Sequence, residues 1–409
     1  MRPISTLRVS AVVAALLLAG SLQACSDDNG GSDSYVVNPD LTKSEIVIGM
    51  ANASTGSADG VQNAPSEDVA KAWEQWVNTD MGGINGHPVK VVVRDTKEDP
   101  ATAVDVANQL INTDKVIAEV GGSDSVSAGA WIPIFNSAKV PVIGGQIVDD
   151  HVIAENPYHY SLVIPVSSIA AMMVDTAQAA GAKSFTAVLC AESPSCAGAA
   201  PVWEARSAEL GIKYDGYTSV KASDPSFTAA CLNVAKSGAD FVELATSAAT
   251  SLRVVNDCNK QGFVANLYGV TYGAFDGARL VPVSEKGANF LGIMEGFPWW
   301  LENPAAQQYR DVMTKYGKEG TYTQNPTQSD AWAALELFRK AMKNASDNPT
   351  ADEVVQALAQ IKDDDLGGLL PQKVTFGLPG TERAPIECLW RAELIDGKTT
   401  ETVVQCVDS

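Results

Sequence analysis

Histidine is almost missing from this sequence, with three in 409 residues, and none of His87, His151 and His159 stands in an H-E-x-x-H arrangement or near a cysteine pair. That removes the commonest zinc and general-base patterns. G-x-S-x-G and G-x-x-x-x-G-K-[ST] are absent as well, so neither a nucleophile elbow nor a phosphate-cradling loop is spelled out. Cations are scarce: 29 Lys and Arg face 49 Asp and Glu, a formal charge of −20. A chain this acidic is a poor partner for nucleic acid or for an anionic membrane surface. There is no C-x-x-C pair, and no apolar run reaches the roughly 20 residues needed to span a bilayer.

What is present begins with an export signal. Arg2 and Arg8 precede the short apolar stretch AVVAALLLAG at 11–20, and LQAC closes it at 22–25. L-x-A-C resembles a bacterial lipobox, which implies cleavage before Cys25 and a lipid on its thiol; the alternative is a secretory signal with an incidental cysteine. SDDNGGSDS at 26–34 is too polar to bury a core and suits a tether. The expected layout is a signal peptide over 1–24 and a lipid-anchored flexible tether over 25–43, the lipid holding the protein at the extracytoplasmic face of the cell membrane. Loss of 1–24 removes Arg2 and Arg8 and no acid, taking the charge from −20 to −22.

Six further cysteines are even in number on an exported chain, which favours disulfides over metal ligation. Cys388 and Cys406 are equidistant from Gly397 and would face each other across a symmetric hairpin. CAESPSC suggests that Cys190 and Cys196 close a short loop. Cys231 with Cys258 is then what remains, and free buried thiols are the alternative to all three pairs.

The chain is too long for one ordinary core, so two lobes are expected. From about residue 44, β-rich runs alternate with helical ones: EIVIGM, HPVKVVVRD, VIAEVGG and VPVIGG are strands separated by helices such as APSEDVAKAWEQWVNTD. PYHYSLVIP at 157–165 breaks the rhythm, and the pattern then restarts with SFTAVLC, IKYDGYTSV, ADFVELAT, ANLYGVTYG and ANFLGIMEGFPWW. This predicts an α/β protein of two doubly wound parallel-sheet lobes. Residues 44–163 with about 299–384 would form lobe 1, and 164–298 with about 385–409 lobe 2.

In such sheets ligands bind beyond the C-terminal ends of strands, where helix N-termini present unspent N–H donors. The loops to search are NASTG (52–56), GGSDSVS (121–127), GGQIVDD (144–150), CAESPSC (190–196), TSAAT (246–250) and TYGAFD (271–276). They are rich in hydroxyls, amides and glycines, with Ser54, Thr55, Ser123, Asp124 and Ser125 in the first two. GGSDS lacks the second glycine of a nucleophile elbow, Ser125 standing there, and G-x-G-x-x-G spacing is absent, so neither an enzyme nor a cofactor is expected. The Trp299-Trp300 pair reads as core or hinge packing, with stacking on a ligand as the alternative.

IVIGMANASTG, VNTDMGGINGHPVKVVVRDTKEDPATAVDVANQLI, VIAEVGGSDSVSAGAWIPIFNSAKVPVIGG and SDAWAALELF together resemble the Leu/Ile/Val-type solute-binding proteins of ABC transporters, which have the type I periplasmic-binding-protein fold. The resemblance runs from about residue 44 to the C-terminus. It implies two lobes joined by a three-segment hinge, a solute closed between them, and docking of the closed form on permease and ATPase subunits. It further implies that Ser123 and Ser125 hold the ligand's carboxylate, that Gly145, Gln146 and Asp149 add contacts, and that Thr246, Thr271 and Tyr272 face the cleft from lobe 2. Amino-acid binders often place an acid in that second-lobe loop for the ammonium group; here Asp124 or Glu192 would have to substitute. The expectation is thus a monomeric, non-enzymatic, cofactor-free receptor for an amino acid, amide or carboxylic acid. A ligand-sensing extracellular domain is the alternative, and a secreted hydrolase a third reading.

Overall fold

The computed structural model describes residues 41–56, 65–192, 194–318, 324–381, 384–400 and 402–407. The expected signal peptide, Cys25 and most of the expected tether lie outside them.

The first lobe opens with β1 (Ile46–Asn52), α1 (Pro65–Thr79), β2 (Val89–Asp95), α2 (Pro100–Asn112), β3 (Glu119–Val120), α3 (Ala128–Ala138), β4 (Val142–Ile143), α4 (Asp150–Glu155) and β5 (His159–Tyr160). All four strand pairings are parallel, in the order β2-β1-β3-β4-β5. Along α1, Val69, Trp73, Trp76 and Val77 are buried at helical spacing, so one stripe faces the sheet. Asn85 and Gly86, both at positive φ (50° and 82°), form the two-residue turn of GGING that brings Ile84 opposite His87. Asp99 caps α2, its Oδ1 accepting from the Thr102 amide at 2.7 Å.

The second lobe repeats the plan. It contains α5 (Val166–Ala179), β6 (Ser184–Cys190), α6 (Pro194–Leu210), β7 (Lys213–Val220), α7 (Thr228–Ser237), β8 (Phe241–Ala245), α8 (Ala248–Lys260), β9 (Leu267–Thr271), α9 (Gly277–Ser284) and β10 (Phe290–Met294). Its parallel strands run β7-β6-β8-β9-β10, the same order as in the first lobe. Next come α10 (Pro304–Tyr316), α11 (Pro326–Ala341) and α12 (Ala351–Leu358), then β11 (Cys388–Ile395), β12 (Lys398–Thr399) and β13 (Val403–Cys406). Helices α10 and α11 pack on α1 of the first lobe. Strand β11 adds antiparallel to β10 of the second. Asn303-Pro304 and Asn325-Pro326 start α10 and α11 with a capping amide followed by a proline, whose missing N–H is no loss at that place.

The chain therefore crosses between lobes at 161–165 and 295–303, and a third time between α12 and β11. The first crossing leaves β5 at its C-terminal end, and the second leaves β10 at its C-terminal end. The C-terminal edges of both sheets are in this way turned toward the crossings. The first crossing is clipped where Asp150 accepts from both the amide and hydroxyl of Ser167, and the Val166 amide reaches the Val148 carbonyl at 2.8 Å. Trp299 is buried and meets Trp300 edge-on at 4.6 Å between ring centroids, while the Trp300 indole donates to Thr402 at 3.0 Å. The tryptophan pair packs the second crossing.

All three expected disulfides are present: Cys190–Cys196, Cys231–Cys258 and Cys388–Cys406. Cys388 lies directly opposite Cys406 in the β11–β13 ladder, and Asp396-Gly397 makes the two-residue turn. Cys196 lies on a helix rather than in a loop, because α6 already starts at Pro194, a residue suited to the first helical turn. Two short helices not expected from the sequence, α4 and α9, follow the loops 144–150 and 271–276; Asp149 and Asp276 supply their caps.

Each sheet carries a buried acid. Glu243 on β8 has neither carboxyl oxygen hydrogen-bonded among the described residues, and its space exists because Gly269 opposite has no Cβ. Burial pushes its pKa from 4.5 to about 8. A raised folded pKa favours the folded state fully below the unfolded value, and that contribution is lost as pH climbs from 4.5 through about 8. Glu243→Met should therefore flatten the fall in stability over this window, by up to about 1.4 kcal/mol per pH unit, and should be the more stable protein at pH 8. Urea unfolding at several pH values checks this; parallel curves for the two proteins would refute it.

Candidate functional site

A doubly wound sheet of order 2-1-3-4-5 splits beyond its first and third strands, where successive connections leave toward opposite faces. In lobe 1 that point lies between β1 and β3, and the loops 52–56 and 121–127 flank it. In lobe 2 it lies between β6 and β8, flanked by 191–192 and 246–247. The hydroxyl-rich loops of the sequence thus gather at the split points of the two sheets.

The lobe 1 loops are tied to one another. The Ala53 amide donates to the Ser123 carbonyl at 2.9 Å, the Ser123 amide to Asn52 Oδ1 at 3.2 Å, and the Ser123 hydroxyl to Gln146 Oε1 at 3.2 Å. Gly145 comes so close to the Gly122 carbonyl that a Cβ there would collide with it, and its φ of 83° suits glycine alone. Ser123, Gln146 and Gly145 are therefore brought together, and the 52–56 loop joins them.

Several expected site residues already have internal work. Asp95, at the end of β2, accepts from the amides of Ser54, Thr55 and Lys97 and from the Thr55 hydroxyl. Burial pushes its pKa up, but these hydrogen bonds outweigh that and hold it below the ordinary carboxylate value. The Ser54 hydroxyl donates to Glu67 at 3.3 Å and accepts from Asn52. Asp149 caps α4 through the amides of His151 and Val152. Asp124 is fully buried and accepts from both the amide and hydroxyl of Ser127, closing the turn into α3.

Glu192 reaches the Ala191 amide at 3.1 Å and the Ala222 amide at 2.7 Å, joining the ends of β6 and β7. The Thr246 hydroxyl pairs with Ser251 at 2.8 Å, and Ser247 caps α8. Thr271 is half-buried at the end of β9; the Tyr272 side chain lies outside what the structure describes. Neither Asp124 nor Glu192 stands as an unclaimed acid waiting for an ammonium group.

Unclaimed donors remain in the loop 121–127. Among the described residues, the amides of Asp124, Ser125 and Val126 and the Ser125 hydroxyl have no protein partner. They stand just ahead of α3, whose axis adds partial positive charge at that end. Such a group of donors suits a carboxylate or a carbonyl oxygen.

Sequence reasoning missed the groups that couple the lobes. Asp276 at the start of α9 accepts from the Arg279 amide at 3.1 Å and pairs with its guanidinium; Asn325 of α11 donates to the same carboxylate at 3.3 Å. The Gly277 amide meets the Gln324 carbonyl at 3.0 Å. Just beyond β10, Glu295 is buried, and burial together with the charge of Asp330 on α11 pushes its pKa well up; burial alone takes Asp330 to about 7. Also missed was Glu119, whose signal was visible: a lone acid inside the apolar run VIAEVGG.

A model of the periplasmic binding proteins matches residues 45–399. The chain belongs to the periplasmic binding protein family. Members of this family are binding proteins, not enzymes. An amino acid binding protein of Pseudomonas aeruginosa is 34% identical to this binding protein over 99 residues, 24% of this chain and 26% of that one; the chain thus matches about a quarter of its curated relative's length. Among solved structures, a branched-chain amino acid ABC transporter protein from Thermus thermophilus with bound valine superposes with a TM-score of 0.77 at 16% identity, covering 89% of this chain and 97% of the other. The substrate binding protein LivJ of Streptococcus pneumoniae, in complex with isoleucine, gives 0.74 at 20% identity, covering 88% and 99%. A solute binding protein of R. palustris in complex with 4-hydroxybenzoate gives 0.71 at 18%, covering 89% and 98%. The two-lobed fold is common to them.

Removing the Asp124 carboxylate would leave the Ser127 amide and hydroxyl without their buried acceptor. Asp124→Ala is expected to lower unfolding stability by about 2 kcal/mol, measured by urea denaturation. An unchanged midpoint would mean that this carboxylate is not structural.

Proposed function

We propose that this binding protein is the extracytoplasmic solute receptor of an ABC importer, taking a small metabolite with a carboxylate or carbonyl group, such as an amino acid, an amide or a carboxylic acid. The solute sits between lobe 1 (44–163 with about 299–384) and lobe 2 (164–298 with about 385–409), which close on it as a hinge. The observation that carries this reading is the set of unclaimed donors at 124–126, held at the split of the lobe 1 sheet while the neighbouring hydroxyls and acids are engaged elsewhere. Ser123, Gln146 and Gly145 shape the same wall, and Thr246 and Thr271 lie on the opposing edge. Relatives described as binding valine, isoleucine and 4-hydroxybenzoate favour a monocarboxylate.

The closed, loaded form then docks on permease and ATPase subunits. Closure selected by the solute gives the transporter a means of telling loaded from empty receptors. A diacylglycerol on Cys25 holds the monomer at the membrane.

Thermal unfolding of the mature protein against aliphatic amino acids, amides, aromatic acids and short organic acids tests the receptor role. A true solute at 100 times its Kd adds about 2.7 kcal/mol, and Ser125→Ala raises that Kd about tenfold through the loss of one hydrogen bond to a charged group. A broad panel without any shift would rule the role out. Separately, the anchor requires that Cys25→Ser moves the protein from the membrane fraction to the soluble one; retention in the membrane would contradict it.

A further inference from the structure

At the split point of lobe 1, strands β1 and β3 are in register at Gly49 and Glu119, with the Gly49 amide on the Ala118 carbonyl at 2.9 Å. Two residues on, the ladder stops. The Ala51 amide donates instead to Glu119 Oε1 at 3.1 Å, and the Gly122 amide donates to the same oxygen at 3.1 Å. One side chain therefore takes the place of a strand-to-strand hydrogen bond and bridges the two chains as they part. A Cβ on Gly122 would collide with that carboxyl oxygen, so Gly122 leaves the space for it. Directly beyond the bridge begin the loops 52–56 and 121–127.

We propose that Glu119 is a positioning residue for solute capture: its buried carboxyl wedges β1 from β3 and sets the spacing and direction of the two loops whose donors meet the solute. The assignment rests on the receptor reading above. The wedge touches no solute atom. It acts through the amides of Ala51 and Gly122, and through the clip of Ala53 and Asn52 to Ser123 that follows them.

The charge state fits the task. Complete burial pushes the Glu119 carboxyl up to about 8, the two backbone donors opposing the shift only in part. At neutral pH it is mostly the neutral acid, accepting through Oε1 without setting a negative charge beneath a loop that seeks an anion. Few other titratable groups bear on it. β1, β4 and α3 carry none, and α2 carries only the exposed Asp105. On α11, which packs on β3, Glu336 is held by Arg339, Lys340 by Asp364, and Asp330 titrates at about 7. Of the loop acids, Asp124 is bound to Ser127, and Asp95 to Ser54, Thr55 and Lys97.

Amide hydrogen exchange by NMR on the mature, solute-free protein, on Glu119→Met and on Glu119→Gln decides the wedge. Met keeps the length and loses the acceptor; Gln keeps an acceptor oxygen. Exchange at Ala51, Gly122 and Ser123 is expected to rise about tenfold or more in the Met variant, with β8 and β9 unchanged, and to stay within about threefold of wild type in the Gln variant. Unchanged exchange at Ala51 and Gly122 in the Met variant overturns the proposal. Calorimetric titration with L-isoleucine then separates positioning from mere local order. The expected result is affinity weakened about tenfold or more by Met and kept by Gln, with wild-type affinity falling above pH 8 relative to Gln at the same pH. Isoleucine affinity untouched by Met, or pH profiles that coincide for wild type and Gln, overturns the positioning role. A wild-type protein that ignores isoleucine overturns that choice of solute, and the exchange comparison still decides Glu119.

Discussion

Parallel strands gather the N-termini of the helices that follow them, with their unspent amides, at one edge of the sheet, and in this protein the crossings between lobes leave from that edge. Two of the three exit directly from strand C-termini, β5 in lobe 1 and β10 in lobe 2. On the receptor reading proposed above, the two donor-bearing edges form the walls between which the solute closes. The chemistry of the site then depends on which donors the fold does not itself use. Most hydroxyls and acids near the edges are engaged, Thr55 with Asp95, Asp124 with Ser127, Glu192 with Ala222. Those commitments tie the loops to the fold, and the amides ahead of α3 are left open. A rigid set of donors binds at a smaller entropic cost than one that must be ordered by its ligand.

Buried acids run through the same architecture. Glu119 and Glu243 lie in the two sheets, while Glu295 and Asp330 meet where the second crossing leaves lobe 2 for lobe 1. Each is shifted toward its neutral form by burial, so each favours folding most at low pH and progressively less as pH rises through neutrality. Four such groups in one domain pair lower stability at the pH where most proteins are comfortable. The disulfides offset part of this. The Cys231–Cys258 bridge closes a 27-residue separation and contributes about 3.5 kcal/mol on the chain-entropy estimate.

Much of this was legible from residue patterns because it rests on local rules. Alternating β-rich and helical runs gave the doubled α/β plan, and equal spacing about Gly397 placed Cys388 opposite Cys406. The convergence of the 52–56, 121–127 and 144–150 loops followed from strand polarity. What could not be read was the use of each polar group. Whether Asp124 faces a ligand or its own turn depends on a rotamer and on Ser127, three residues away. The Asp276–Arg279–Asn325 link joins positions 49 residues apart across the two lobes. Glu119 was visible as an acid in an apolar strand, but its meaning lies in the missing ladder bond between β1 and β3, a property of three-dimensional register.

The most direct measurement is a crystal structure of the mature protein with the solute that most raises its unfolding temperature. The account predicts a closed form in which a carboxylate or carbonyl oxygen of the solute lies about 2.7–3.1 Å from the Ser125 amide and hydroxyl, ahead of α3, with lobe 2 covering it from the ends of β8 and β9. A solute bound on an outer face of either lobe, or with its oxygens turned toward lobe 2 and the donors at 124–126 left in water, would contradict it.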